Sequence, residues 1–310
     1  MPKVLTLDDE PVAEPAFRTL AWIDGSLNDS ELAERLGQAY DVFSEVFGGD
    51  VGVIGMRDGD RRLAPKEVTT RLLNDGRKWF RTGRKEFAAT LRLFRYPTED
   101  FNAPRVPSFR VDEHDGCVLL ETSIPDENVG TFADDLAHVL QELPLLSAVQ
   151  GMGFAVPISF ESLITRFPRT TMRYRTAIEF FVSDAIDGVR VERSPFPWSQ
   201  FPDISPGIPD IGWRTFVGES FLERTPGLNE IDHEGVAVDV REKVVVLTAG
   251  EEPIWGDVNA GEDISPYQAV AAALRPIRYP SEVAYRSLFG DLSDDASGRD
   301  RIDAYLGRYD

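Results

Sequence analysis

The chain has one cysteine, three histidines and no long apolar run in 310 residues. A lone Cys117 cannot close an intrachain disulfide, so the stapled frameworks of small secreted domains are excluded and a reducing compartment fits. No stretch reaches the roughly 18 uninterrupted apolar residues that a spanning helix needs, so no membrane partner is expected. The N-terminal MPKVLTLDDEPVAEPAF carries early acids and lacks the apolar h-region of a secretory signal, which points to the cytoplasm. His114, His138 and His233 fall in no H-x-x-x-H spacing, and there is no G-x-S-x-G elbow or P-loop. QGMGFAV offers Gly151 and Gly153 without the third glycine of a dinucleotide loop. Cys117 lies inside a strand pattern, where an inert buried thiol is expected. The chain therefore reads as a non-enzyme, with no cofactor and no metal.

What is present in excess is negative charge. There are 33 Lys and Arg against 53 Asp and Glu, a net charge of −20. Residues 1–100 hold 15 basic and 18 acidic side chains, whereas residues 200–310 hold 10 and 21. Such a surface repels phosphate, which argues against direct nucleic-acid or anionic-membrane binding. A basic protein is the natural partner, and solubility is the simpler alternative. Residues 77–95, RKWFRTGRKEFAATLRLFR, run against this trend. They read as a solvated face pairing internally with the surplus acids, or as an anion patch.

Hydrophobic spacing outlines the elements. A helix follows Asn28, capped by Asp29 or Ser30, with Leu32, Leu36, Tyr40, Phe43 and Phe47 on one face and Gly48-Gly49 as its stop. DVGVIGM reads as a strand, 66–80 as a helix and EFAATLRLFRYP as a strand. SFRVDE, the turn His114–Gly116 and CVLLETSI form a hairpin, and a helix opens at Thr131. LLSAVQGMGFAV reads as a strand, 160–187 as mostly helical, and GWRTFVGESFLERTPG as a short helix. GVAVDV and VVVLTAG form a second hairpin around Arg241-Glu242-Lys243. The expected fold class is α+β, with an antiparallel sheet built from hairpins and packed helices. Hairpin followed by helix occurs at 108–142 and at 235–274, suggesting two similar halves. One domain over 1–310 is expected, with a possible internal boundary in the Pro/Gly-rich segment 194–212.

One loop has the look of a site. EEPIWGDVNAGED gathers Glu251, Glu252, Asp257, Glu262 and Asp263 around Trp255 and Asn259. As an EF-hand starting at Asp257 it fails, because Gly261 stands at position 5, Glu262 at 6 and Gln268 at 12. The adjoining stretch ISPYQAVAAALRP has a simpler account. Ser265 as N-cap, Pro266 at the first helical position and Gln268 as the far side of a capping box start a helix that Pro276 stops. Glu262 and Asp263 would sit at the positive end of that helix. The seven residues Glu251, Glu252, Trp255, Asp257, Asn259, Glu262 and Asp263 are the partner-binding candidates. Trp255 would serve as an aromatic anchor among carboxylates, or else as buried structure.

The order IGWRTFVGESFLERTPGL, then a hairpin ending in VVVLTAGEEPIWGDVNAGEDISPYQAVAAALRPIRYP, resembles the type VI secretion immunity family TsiV. Members of that family are encoded beside effectors carrying a VRR-NUC nuclease domain. Trp213, Ala249-Gly250 to Pro253, Gly256-Asp257-Val258-Asn259, Pro266-Tyr267 and Leu274-Arg275-Pro276 carry the resemblance. It is most specific over 212–280 and extends more thinly to about residue 20 and to the C-terminus. Within it, Trp213, Pro253, Gly256, Tyr267, Arg275 and Pro276 are expected to define the fold. The resemblance implies a cytoplasmic immunity protein that binds a cognate VRR-NUC-type toxin and occludes its active site or DNA-binding surface. The alternatives are immunity against a different toxin class, or a carboxylate-based enzyme using the 251–263 loop.

Overall fold

A computed structural model describes residues 5–7, 10–58, 61–82, 89–95, 106–114, 116–155, 173–180, 182–183, 185–190, 205–279, 281, 283–284 and 296–310. Two compact units are distinguished: Pro2–Leu145 with Ala155–Ser159, and Leu146–Phe154 with Phe160–Asp310.

The first unit contains β1 (Leu5–Leu7), β2 (Glu10–Asp24), α1 (Ser30–Phe47), β3 (Val53–Asp58), β4 (Arg61–Glu67) and α2 (Thr70–Trp79). It continues with β5 (Thr90–Phe94), β6 (Ser108–His114), β7 (Cys117–Pro125) and α3 (Gly130–Gln141). Its strands run in the order β2-β7-β6-β5-β3-β4, with β1 on β2, and these ladders are antiparallel. The expected α+β class with a hairpin-built antiparallel sheet is observed.

Alternation sorts the two sheet faces. Phe109 of β6 meets Tyr40 and Phe43 of α1 at 5.6 and 5.4 Å, and Phe43 and Phe47 reach Phe132 of α3. Neighbouring residues on the same strands point the other way and are charged. Arg110 stands across from Arg92 and Glu121, and Arg18 pairs with Glu121 at 2.6 Å. Burial raises the Asp112 carboxyl, but Arg110 and Arg92 beside it outweigh that and hold it below its ordinary range. Asp29 caps α1 by accepting from the N–H of Glu31 and Leu32, as its sequence position suggests.

Two elements here differ from the sequence reading. The helix expected from residue 66 begins at Thr70, with the Thr69 hydroxyl accepting from Leu72 N–H, and Arg61–Glu67 is a strand. The strand Glu10–Asp24 has no counterpart in that reading, because Pro11 and Pro15 speak against a ladder. The β2–β7 register runs from Ala16↔Pro125 to Asp24↔Cys117, so both prolines lie outside it and no bond of that ladder is lost.

The second unit holds most of β8 (Leu145–Ala155), then α4 (Ile186–Val189), β9 (Arg214–Gly218) and α5 (Glu219–Leu222). It ends with β10 (Val236–Val240), β11 (Val244–Ala249), α6 (Ser265–Ala273) and α7 (Ala296–Leu306). The strand order is β10-β11-β9-β8. The expected helix over GWRTFVGESFLERTPG is instead a strand followed by one helical turn. Phe216 and Val217 are both fully buried, with β11 on one side and β8 on the other. A strand buried on both faces shows no alternation and reads like any short apolar run. The helix expected over 160–187 is also corrected. Described residues from 173 onward form turns and isolated bridges, Gly153↔Ile178 and Tyr174↔Asp257, with helix only at Ile186–Val189. Residues 160–172, much of 194–212, 83–88 and Pro97 lie outside the described residues.

A buried ion pair anchors α7. Arg308 reaches Asp210 at 2.6 Å, Tyr305 donates to the same carboxylate at 2.6 Å, and Tyr309 donates to Ile211 O at 3.1 Å. Among the described residues no helix is long and apolar enough to cross a membrane.

Candidate functional site: the loop between β11 and α6

β11 ends at Ala249, and Gly250 turns the chain with φ 86°. The Trp213 indole N–H donates to Gly250 O at 3.1 Å, and Ala249 N–H donates to Trp213 O at 2.7 Å. Five residues on, Trp255 is 5% exposed, its ring 5.1 Å from Phe154 and 5.6 Å from Tyr174. Its aromatic surface is therefore enclosed within this unit, and it acts as the loop's own core. Gly256 comes next with φ 62°, and a Cβ there would sit 2.9 Å from Thr176 Cγ2. Only glycine meets both conditions without strain.

Residues 173–176 run beside the loop and stitch it down. Arg175 N–H donates to Gly256 O at 3.2 Å, Thr176 N–H to Trp255 O at 3.3 Å, and Val258 N–H to Arg173 O at 2.9 Å. The Thr176 hydroxyl donates to Ile254 O. Sequence reasoning missed these partners. They lie about 80 positions upstream, in a stretch read as helical, and no local signal links them to the loop.

Asp257 is the hub of the turn. Arg173 Nε and Nη2 donate to its two carboxylate oxygens at 3.2 and 3.1 Å, and Asn259 N–H donates to Oδ1 at 3.0 Å. Chiefly through the Arg173 hydrogen bond, its carboxyl is held below the ordinary range. Glu262 closes the turn from the other side, accepting from Asp257 N–H at 2.9 Å. Asp263 accepts from the N–H and hydroxyl of Ser265 at 2.9 and 3.0 Å, which lowers its own pKa. This corrects the expected cap: Ser265 is the first helical residue, no side chain of Ile264 caps it, and Asp263 takes the capping role.

The seven partner-binding candidates thus separate. Trp255 and Asp257 are buried, whereas Glu251, Glu252, Asn259, Glu262 and Asp263 are exposed. The structure brings Asp257, Asn259 and Glu262 together through the turn's hydrogen bonds. Val258, unremarked as a candidate, stands 50% exposed at its tip. The motif residues serve the scaffold. Tyr267 is buried, accepts from Ile254 N–H at 3.5 Å and stacks on Tyr309 at 6.1 Å. Arg275 pairs with Asp310 at 3.3 Å, Pro276 O accepts from Arg224 at 3.0 Å, and Pro253 is half-buried.

This arrangement suits presentation better than proton transfer. A general base works best with a pKa near the operating pH, and Arg173 moves Asp257 the other way. Among the described residues no group of three or more His, Cys, Asp or Glu could hold a metal ion.

The hairpin leading into the loop has a second feature. β10 ends the strand order, so among the described residues no strand pairs with its outer side. Val240 on this edge is 56% exposed, and the flanking Glu230, Asp232, Glu234 and Glu242 are exposed as well.

Comparison with known proteins bears on this region. A T6SS protein of Pseudomonas aeruginosa is similar in structure, with a TM-score of 0.72 at 15% identity over 99% of this chain and 87% of that chain. At that identity the likeness is one of fold. No curated protein matches the chain. A family model does match, over residues 162–296, and that span holds β9, both strands of the second hairpin, the loop and α6. The resemblance read over 212–280 is borne out: this part of the chain matches TsiV, the family described as type VI immunity for VRR-NUC.

Proposed function

We propose that the chain is a cytoplasmic immunity protein that binds a cognate VRR-NUC-type effector directly and keeps its nuclease from DNA. The match of residues 162–296 to the type VI immunity family carries this reading. The physical chemistry supports it. A DNA-cutting domain needs a basic groove for phosphate, and a chain of net charge −20 complements such a groove and is steered toward it. On this reading the protein occludes the active site or the DNA-binding surface, binds no nucleic acid itself and performs no chemistry. Contacts come from the exposed Glu251, Glu252, Asn259, Glu262 and Asp263, with Trp255 and Asp257 holding the loop in shape.

Co-expression with the effector encoded beside the gene tests the proposal. Growth is expected to be restored, and continued killing by a toxin proven active would reject it. Steering has its own readout. The association rate is expected to fall steeply with added salt, and a salt-independent rate would remove the electrostatic part.

A further inference from the structure

The outward backbone groups of β10 can be assigned from its hairpin. Arg241 N–H donates to Val244 O and Gly250 N–H donates to Gly235 O, so positions 235, 237, 239 and 241 face β11. Hydrogen bonding alternates along an antiparallel pair. The N–H and C=O of Val238 and Val240 therefore point away from β11, on the side where no described strand lies. The Val236 N–H turns back to His233 O instead. The 3-10 turn Leu228–Glu230 lies near β10, but no described strand pairs with this side, and a strand edge left so is a template for one more strand.

We infer that this edge docks an extended, Lys- or Arg-rich segment of the nuclease, which adds to the sheet beside β10. The inference rests on the proposed function and names the surface through which it acts. Charge selects the occupant. Glu230, Asp232, Glu234 and Glu242 are exposed around the edge, whereas Asp239 on the strand itself is paired with Arg241 at 2.9 Å, and Lys243 is the other nearby positive charge. A second copy would bring its own exposed acids and a further net charge of −20 against this edge, and like charges so placed repel. A basic strand meets the opposite sign. Main-chain hydrogen bonds to Val238 and Val240 would give affinity, and the exposed Val240 side chain an apolar contact within an acidic rim.

The test is amide hydrogen exchange on the full chain, alone and with the catalytically inactivated nuclease encoded beside it. Exchange at Val238 and Val240 is expected to slow at least about tenfold in the complex, as it does when an open backbone N–H gains a partner. Val238→Pro removes an outward N–H and none of the β10–β11 ladder, so its melting temperature is expected to match wild type. Its affinity for the nuclease is expected to fall at least about tenfold. If that variant fails to fold, the exchange data on the wild type decide. A tight complex with unchanged exchange at 236–240 would overturn the docking edge and leave the immunity reading standing. Edge protection that rises with protein concentration in the absence of nuclease would overturn it too, and identify a second copy as the occupant. A nuclease that does not bind wild type at all rejects the immunity reading, and this edge with it.

Discussion

The chain twice builds a hairpin and then a helix, from Ser108 to Gln141 and from Val236 to Ala273, and the two pieces serve opposite ends. In the first, β7 has β6 on one side and β2 on the other, and eight of its residues in a row are buried. A single 3-10 turn, Asp126–Asn128, leads to α3. In the second, β10 has no strand on its outer side among the described residues, and residues 250–264 intervene before α6, anchored by Trp255 against Phe154 and Tyr174. Both edges of the first hairpin are taken up by pairing, β6 with β5 and β7 with β2. The second leaves Val240 on its outer strand and Val258 at the loop tip exposed, the arrangement that recognition surfaces favour.

Breaking that contrast should produce effects of very different size. Placing charge in the first hairpin by Leu119→Asp, at a fully buried position, is expected to remove more than about 4 kcal/mol and leave little folded protein, as seen by circular dichroism. Deleting the loop's own core by Trp255→Ala is expected to destabilise by about 3–5 kcal/mol in urea titration, since aromatic truncations reach that size even in large cores. An effect below about 1 kcal/mol would mean that the loop is merely draped on its unit. Gly256→Ala combines a left-handed backbone with a contact to Thr176, and a loss of about 1–3 kcal/mol is expected by the same titration.

The Arg173–Asp257 pair gives a pH signature instead. Its stabilisation is present when the carboxyl is ionised, above the unfolded value of about 4, and is lost as pH falls through the lowered folded value. The melting temperature of wild type is therefore expected to exceed that of Asp257→Asn by a constant margin from about pH 5 to 8, and by a shrinking one below about pH 4. A margin independent of pH would assign the effect to packing rather than charge. The smallest effect is expected at the open edge. Val240→Asp, chemically as severe as Leu119→Asp, is expected to change stability by no more than about 0.5 kcal/mol.

Legibility in the sequence divided along the same line. Both hairpins, α1 with its Asp29 cap and the helix α6 were readable, because alternation and helical spacing act over a few residues, although α6 ends at Ala273 and Pro276 lies in a following 3-10 turn. β9 was not, since a strand buried on both faces carries no period. β2 was hidden by Pro11 and Pro15, which weigh against a strand unless their position relative to the ladder is known. For the loop, the string of residues was visible but not its division of labour. That Trp255 points inward and that Asp257 is held by Arg173 both depend on residues 154 and 173–176, distant in sequence and without a local mark. The open side of β10 is likewise a property of strand order, which local patterning does not encode.

The turn at Asp257–Gly261 has a consequence for how such a protein changes over generations. Its shape is fixed by main-chain bonds, Val258 N–H to Arg173 O, Ala260 N–H to Asp257 O and Gly261 N–H to Val258 O, together with the Asp257 and Glu262 carboxylates. The side chains of Val258, Asn259 and Ala260 point into solvent and contribute nothing to that frame. Mutation can rewrite those three positions while the turn keeps its form, so the tip has room to change from one generation to the next without first passing through an unstable intermediate.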